Sequence, residues 1–151
     1  MILKGRVIKD GKAAGPALVS SEPMGFLGGV DPQSGMVIEK GHPLEGQCVA
    51  GTVLCFPTGK GSTVGSYTLY WMKKEGVAPA AILNAESETI VAVGAIISGL
   101  PMVDQIDLSQ IQTGDWVTVE GATVAVARGA AGTDGGSGSA EERSPRAAAS
   151  R

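Results

Sequence analysis

Chemistry in this chain is most concentrated at residues 57–63, Pro-Thr-Gly-Lys-Gly-Ser-Thr, where Gly59 and Gly61 flank Lys60 and the hydroxyls of Ser62 and Thr63 follow. Glycines on both sides of a lysine let the backbone turn sharply and bring main-chain N–H groups close to a ligand. If a helix begins just after them, its N-terminus adds a field that favours negative charge, so an anion could dock at Gly59, Lys60, Gly61 and Thr63. A serine hydroxyl is a poor base or nucleophile unless its deprotonated form is stabilised. A nest of N–H groups with Lys60 alongside could supply that stabilisation to Ser62. A plainer reading stands beside this one, in which Ser62 or Thr63 only caps the helix. A nucleotide P-loop is excluded, because Leu54 stands where its first glycine is required and Gly61 follows Lys60.

Ser62 has no conventional catalytic partner in the sequence. His42 is the only histidine and lies in the turn-like GHPLEG, where a structural role is expected. Asp31 and Asp104 also sit in turn-like contexts, GVDPQSG and PMVDQID, that fit polar turns better than acid–base work. Cys48 and Cys55 are the only cysteines, and both are expected to be buried, reduced thiols. With one histidine they make neither a zinc set nor the ligands of an iron–sulfur cluster, so no metal site is expected here and any cluster must lie on another chain.

The elements that position the loop can be read around it. Residues 49–56, VAGTVLCF, are nearly all apolar and read as a strand covered on both faces that leads directly into the loop. Residues 63–75 read as a helix, with Val64, Thr68 and Trp71 at helical spacing, lysines in the last turn and Gly76 beyond it. Upstream, residues 2–8 and 17–20 are expected to form a β-pair about a turn at DGKAAGP. The glycine-rich residues 24–41 are expected to form an ordered loop with a brief strand at 36–39. Downstream, residues 80–83 and 90–97 read as buried strands, and TGDWVTVEGATVAVA reads as a hairpin turning at Glu120-Gly121. Many short strands around one or two helices predict an α+β fold, a compact barrel-like sandwich.

Composition narrows the function classes. At 43% hydrophobic and 18% charged residues, the 151-residue chain fits one globular domain, expected at residues 1–128. Residues 129–151 contain no large apolar side chain and are expected to be a disordered tail. A net charge of −3 offers no basic field for nucleic acid or an anionic membrane surface. No stretch approaches a bilayer span and the N-terminus lacks the long apolar run of a signal peptide, so a cytoplasmic location is expected. Tyr67, Tyr70 and Trp71 are expected in the core or an interface, and the apolar, glycine-rich residues 24–30 are a candidate docking loop.

The strings GFLGGVDPQSGMVIEKGHPLEGQ, GTVLCFPTGKGSTVGSYTLYWMKKEGVAPAAILNAESETIVAVGAIISGLPMVDQI and TGDWVTVEG occur in an order that resembles the small subunit of the aconitase X family, in its archaeal phosphomevalonate dehydratase form. The resemblance covers nearly everything before the tail. It implies a swivelling β/β/α domain that packs over a larger subunit carrying an iron–sulfur cluster. It places the catalytic base on the serine of GKGST, Ser62 here, and implies dehydration of (R)-5-phosphomevalonate to trans-anhydromevalonate 5-phosphate for isoprenoid synthesis. Cluster iron would then assist the departing hydroxyl while Ser62 takes a proton. Related enzymes dehydrate cis-3-hydroxyproline, which is one alternative; a non-catalytic module that binds an anion or closes a partner's cleft is another.

Overall fold

The computed structural model describes residues 1–60 and 64–128. The proposed tail at 129–151 and Gly61, Ser62 and Thr63 lie outside the described residues. Among the described residues, eight strands and two α-helices run in the order β1 (Ile2–Lys4), β2 (Arg6–Lys9), β3 (Lys12–Val19), β4 (Val53–Phe56), α1 (Gly65–Glu75), β5 (Ala81–Asn84), α2 (Thr89–Ser98), β6 (Met102–Asp104), β7 (Trp116–Glu120) and β8 (Thr123–Ala127). The strands form one mixed sheet, β1-β8-β7-β3-β4-β5-β6-β2, in which β3, β4, β5 and β6 run parallel.

Residues 2–8, expected as one strand, are split at Gly5 between opposite ends of that order. β1 pairs with β8 and β2 with β6, so the sheet curls until its two ends meet at Gly5. A Cβ at Gly5 would collide with the Asp104 carbonyl oxygen, so only glycine fits where the ends join. The opening β-pair is thus corrected. β3 is also longer than its expected residues 17–20 and runs through the supposed turn: Lys12 to Pro16 pair with β7, and Ala17 to Val19 pair with β4. Pro16 sits where β3 changes partners, a position that spares its missing N–H.

The strand interiors are wet on neither side because two cores flank them. Val53 and Cys55 of β4, Ala81 and Leu83 of β5, and Val103 of β6 face a core shared with β7 and β8. Leu54, Phe56 and Ile82 face the helices. Alternate residues therefore enter different layers, which is why these strands read as continuous apolar runs rather than as alternation. Together the layers make the β/β/α arrangement of an α+β fold.

α1 ends as expected at Gly76 in the left-handed region. Its buried face is Gly65, Ser66, Thr68, Leu69 and Met72, however, and Val64 and Trp71 are exposed. Residues 90–97 form no strand: they lie within α2, capped by the Glu88 carboxylate and ended by Gly99 at φ 70°. Apolar residues on every side of this helix erase the 3.6-residue periodicity that would have revealed it. The parallel β5–β6 pair requires such a crossover. The helices meet closely, since a Cβ on Gly94 would lie 2.8 Å from Leu69 and the Ser66 hydroxyl donates to the Ile90 carbonyl at 2.7 Å. The β7–β8 hairpin turns at Gly121, φ 59°, as expected. The brief strand at 36–39 is reduced to isolated bridges, Val30 to Val37 and Met36 to Cys48.

Candidate functional site

Residues 57–60 leave the C-terminal end of β4 at the edge where the parallel strands stop. Their path is fixed on two sides. The Pro57 carbonyl accepts from the Ala85 and Glu86 N–H groups at 3.1 and 3.0 Å, tying the loop to the end of β5. Met24 donates to the Thr58 carbonyl at 3.2 Å and its own carbonyl accepts from Lys60 N–H at 3.0 Å. Phe26 anchors that second strap by an edge-to-face contact with Phe56, ring centroids 6.2 Å apart, of the kind that adds about 0.5–1.5 kcal/mol to burial alone.

Both glycines in contact with the strap and the helices are there for space. A Cβ on Gly25 would lie 2.7 Å from the Lys60 carbonyl oxygen; one on Gly59 would lie 2.5 Å from Val91 Cγ2 and 2.7 Å from Glu88 Oε1. Gly59 is therefore pressed against the first turn of α2. On the far side of the loop, the Val64 carbonyl accepts from Tyr67 and Thr68 N–H at 3.0 and 3.2 Å, opening α1. Ser62, the candidate base, lies outside the described residues with Gly61 and Thr63, between these two fixed points.

No acidic side chain lies in the first turn of α1, the helix that follows the loop, and the carboxylates nearest the loop come from the start of α2 and from the glycine-rich segment before β4. The N-terminus of α2 is already satisfied by Glu88, whose carboxylate accepts from Ile90 and Val91 N–H at 2.7 and 3.2 Å. Lys60 Nζ lies 2.7 Å from Glu39 Oε2. Neither glutamate is conspicuous in the sequence, because each reaches the loop from a distant segment. A Glu just ahead of an apolar run was the one available signal, as a cap for α2.

Beside Pro57 opens a cavity of about 790 Å³ lined by Ser20, Leu44, Ala85, Ile111 and Thr113 among others, with no charged side chain in its wall among the described residues. Its neutrality suits burial of uncharged substrate or partner surface better than a phosphate. Asn84, at the end of β5 and fully buried, donates to the Phe56 carbonyl at 2.9 Å and so pins the start of the loop.

Other residues singled out in the sequence separate from this site. His42 is buried, its Nδ1 accepting from Leu44 N–H and its Nε2 facing the Pro23 carbonyl at 3.1 Å, a structural role as expected. Asp31 accepts from Gln33 N–H and the Ser34 hydroxyl within its own turn, again as expected. Asp104, expected in a polar turn, instead ends β6, where it is fully buried and grips Arg6 through both oxygens at 3.0 and 2.7 Å. Burial alone would raise its carboxyl. Hydrogen bonds from Arg6 and Ser87, with the guanidinium charge, outweigh burial and hold it below the usual carboxylate range.

Of the two cysteines, only Cys55 is buried, and burial, assisted by the Asp115 charge, pushes its thiol up to about 12; Cys48 is exposed. Tyr67, Tyr70 and Trp71 are exposed rather than core. In residues 24–30, Met24, Phe26 and Val30 are buried, which leaves Leu27 as the protruding apolar side chain. Among the described residues no three His, Cys, Asp or Glu side chains gather into a metal-binding group. With one thiol sealed inside the barrel and the other in an outer loop, the described residues do not fit an iron–sulfur cluster. No helix among them is long and apolar enough to cross a membrane.

Residues 2–127 match the aconitase X swivel domain. The chain belongs to that family. Among solved structures it is similar to the aconitase X of Thermococcus kodakaraensis, with a TM-score of 0.82 and 52% identity over 83% of this chain and 98% of that one. The swivel-domain relatives include the phosphomevalonate dehydratase small subunit of Methanocella arvoryzae, 60% identical over 124 residues, which cover 80% of this chain and 94% of the relative. The corresponding Thermococcus onnurineus subunit is 57% identical over 120 residues, covering 80% of this chain and 92% of the relative. The strapped loop thus belongs to a swivel domain of the aconitase X type.

Proposed function

We propose that this chain is the small subunit of a phosphomevalonate dehydratase and presents Ser62 to a site completed by a large subunit. The observation that carries the reading is 60% identity, over 80% of this chain and 94% of the relative, to a small subunit of that name. In the reaction, Ser62 accepts the proton from the carbon next to the substrate carboxylate. The C–H electron pair becomes the new double bond as the neighbouring C–O bond breaks, and the departing hydroxide takes up the proton that Ser62 received, giving trans-anhydromevalonate 5-phosphate and water and restoring the base. Lys60 and the main-chain N–H groups of Gly59, Gly61 and Thr63 bind the anionic end of the substrate or the serine oxyanion. The large subunit carries the iron–sulfur cluster, for which the described residues here have no ligand set. Cytoplasmic assembly and the isoprenoid route follow from the same reading.

Anaerobic purification of the complex tests it. A larger chain with iron–sulfur absorbance should co-purify and dehydrate (R)-5-phosphomevalonate in preference to cis-3-hydroxyproline. Ser62→Ala should leave assembly intact and lower kcat by at least about 10²-fold, as expected for loss of a general base. Normal turnover by Ser62→Ala would remove the catalytic assignment, and preference for the hydroxyproline would replace the substrate.

A further inference from the structure

We propose that Glu39 is a positioning residue of this site, acting through Lys60, an inference that rests on the assignment of Lys60 to the substrate's anionic group. Glu39 belongs to the glycine-rich segment before β4, and its place there is fixed by the main chain. Ile38 and Glu39 N–H both donate to the Gly29 carbonyl, at 2.9 and 3.3 Å, and the Glu39 carbonyl accepts from His42 N–H at 3.3 Å. Gly29 in turn is pressed so closely onto the Gly25 carbonyl that no side chain fits, and Gly25 is pressed onto Lys60. One continuous segment therefore holds Lys60 at both ends, through Met24 at its N–H and through Glu39 at its ammonium group.

Stability does not account for this arrangement. The lysine and glutamate side chains are 47% and 32% exposed, and ion pairs in such settings stabilise a fold little. Pre-organisation does account for it. A free lysine gives up most of its rotamer freedom when an anion fixes it, and a lysine already held gives up less. An ammonium group has three donors, so one bond to Glu39 leaves two for a carboxylate or phosphate oxygen. Glu39 thereby sets where the substrate's negative charge lies relative to the loop that carries Ser62.

The test is a double-mutant cycle in the assembled two-subunit enzyme, using steady-state dehydration of phosphomevalonate and thermal unfolding of each complex. Lys60→Met should lower kcat/KM by about 10²-fold, and Glu39→Gln by about tenfold, chiefly through KM. The double variant should be no worse than Lys60→Met alone, because Glu39 has nothing left to hold. Glu39→Asp, which keeps the charge, should recover at least threefold of the Glu39→Gln loss, with melting temperatures within a few degrees throughout. Losses that multiply in the double variant, or a Glu39→Asp variant as poor as Glu39→Gln, would overturn the positioning role in favour of a structural one. An unaffected Glu39→Gln beside an impaired Lys60→Met would overturn this inference alone; an unaffected Lys60→Met would overturn the reading of Lys60 on which it rests.

Discussion

Gly59→Ala tests the packing that fixes the loop. Its new methyl group would stand 2.5 Å from Val91 Cγ2 and 2.7 Å from Glu88 Oε1. Neither neighbour can step aside freely. Val91 is buried in α2, where a β-branched side chain has one strongly preferred rotamer, and Glu88 is held by two main-chain bonds. To restore ordinary contact distances the loop must move by about 1 Å or the cap must break. Overpacking costs about 1–3 kcal/mol, and a lost N-cap about 1 kcal/mol, so a net loss of about 2 kcal/mol is expected. For a domain of this size that lowers the melting temperature by roughly 6–10 °C. A displacement of about 1 Å at a positioning loop costs about 10²-fold in turnover, so kcat/KM should fall far more than stability alone would dictate. Adding Val91→Ala removes the nearest methyl group and should restore part of the activity while lowering stability further. A Gly59→Ala complex with an unchanged melting temperature and kcat/KM within twofold of the parent would refute the close approach of loop and helix.

Titration of the free thiols in the isolated chain with an aromatic disulfide at pH 8 should show one fast thiol, Cys48, and a second that reacts only after denaturation. With burial pushing Cys55 up to about 12, its thiolate is nearly absent at that pH, and equal rates for both would contradict the buried assignment. The Arg6–Asp104 pair should make stability depend on pH. Because the folded carboxyl titrates below its unfolded value of about 3.9, its contribution is complete above that pH and is lost as pH falls through the folded value. Arg6→Gln strands a buried carboxylate and should lower the melting temperature at pH 7, with the deficit shrinking as the pH falls and Asp104 becomes protonated. A deficit that grows toward acid pH would reverse the sign of this argument.

Elements that carry their own boundary chemistry were legible in the sequence. α1 is ended by Gly76, the last hairpin by Gly121, and β4 was recognisable as a strand covered on both faces because its alternate residues enter two cores. α2 was misread as a strand, since an apolar helix between a sheet and solvent-facing isoleucines shows no period; its signals were Glu88 and Gly99, both outside the apolar run. β3 was shortened because Pro16 reads as a breaker unless the change of partner from β7 to β4 is known. Asp104 was taken for a turn residue because its partner, Arg6, is 98 positions away. The same cause hid Glu39, which is 21 positions from Lys60. Local chemistry marked the GKGST loop, but only tertiary contacts could say which carboxylates face it.

Those carboxylates bear on why this domain needs a partner. A free-standing anion site would leave its helix N-terminus and its lysine open to the ligand. Here Glu88 satisfies the first turn of α2, Glu39 takes one of the three donors of Lys60, and the adjoining cavity has, among the described residues, no charged side chain in its wall. Alone, the loop offers an incoming dianion the field of the α1 N-terminus, whose first turn holds no acidic residue, and a lysine whose charge Glu39 offsets. Further affinity must then come from charge that a second subunit brings, while this chain contributes the fixed placement of Lys60 and Val64, with Ser62 two residues from each. Such a division predicts that phosphate-bearing ligands bind the isolated chain weakly and the assembled enzyme well, a difference isothermal titration with phosphomevalonate would resolve. Tight binding by the isolated chain would mean that the loop's own positive groups suffice to hold the substrate, and would return the domain to the class of autonomous anion-binding modules.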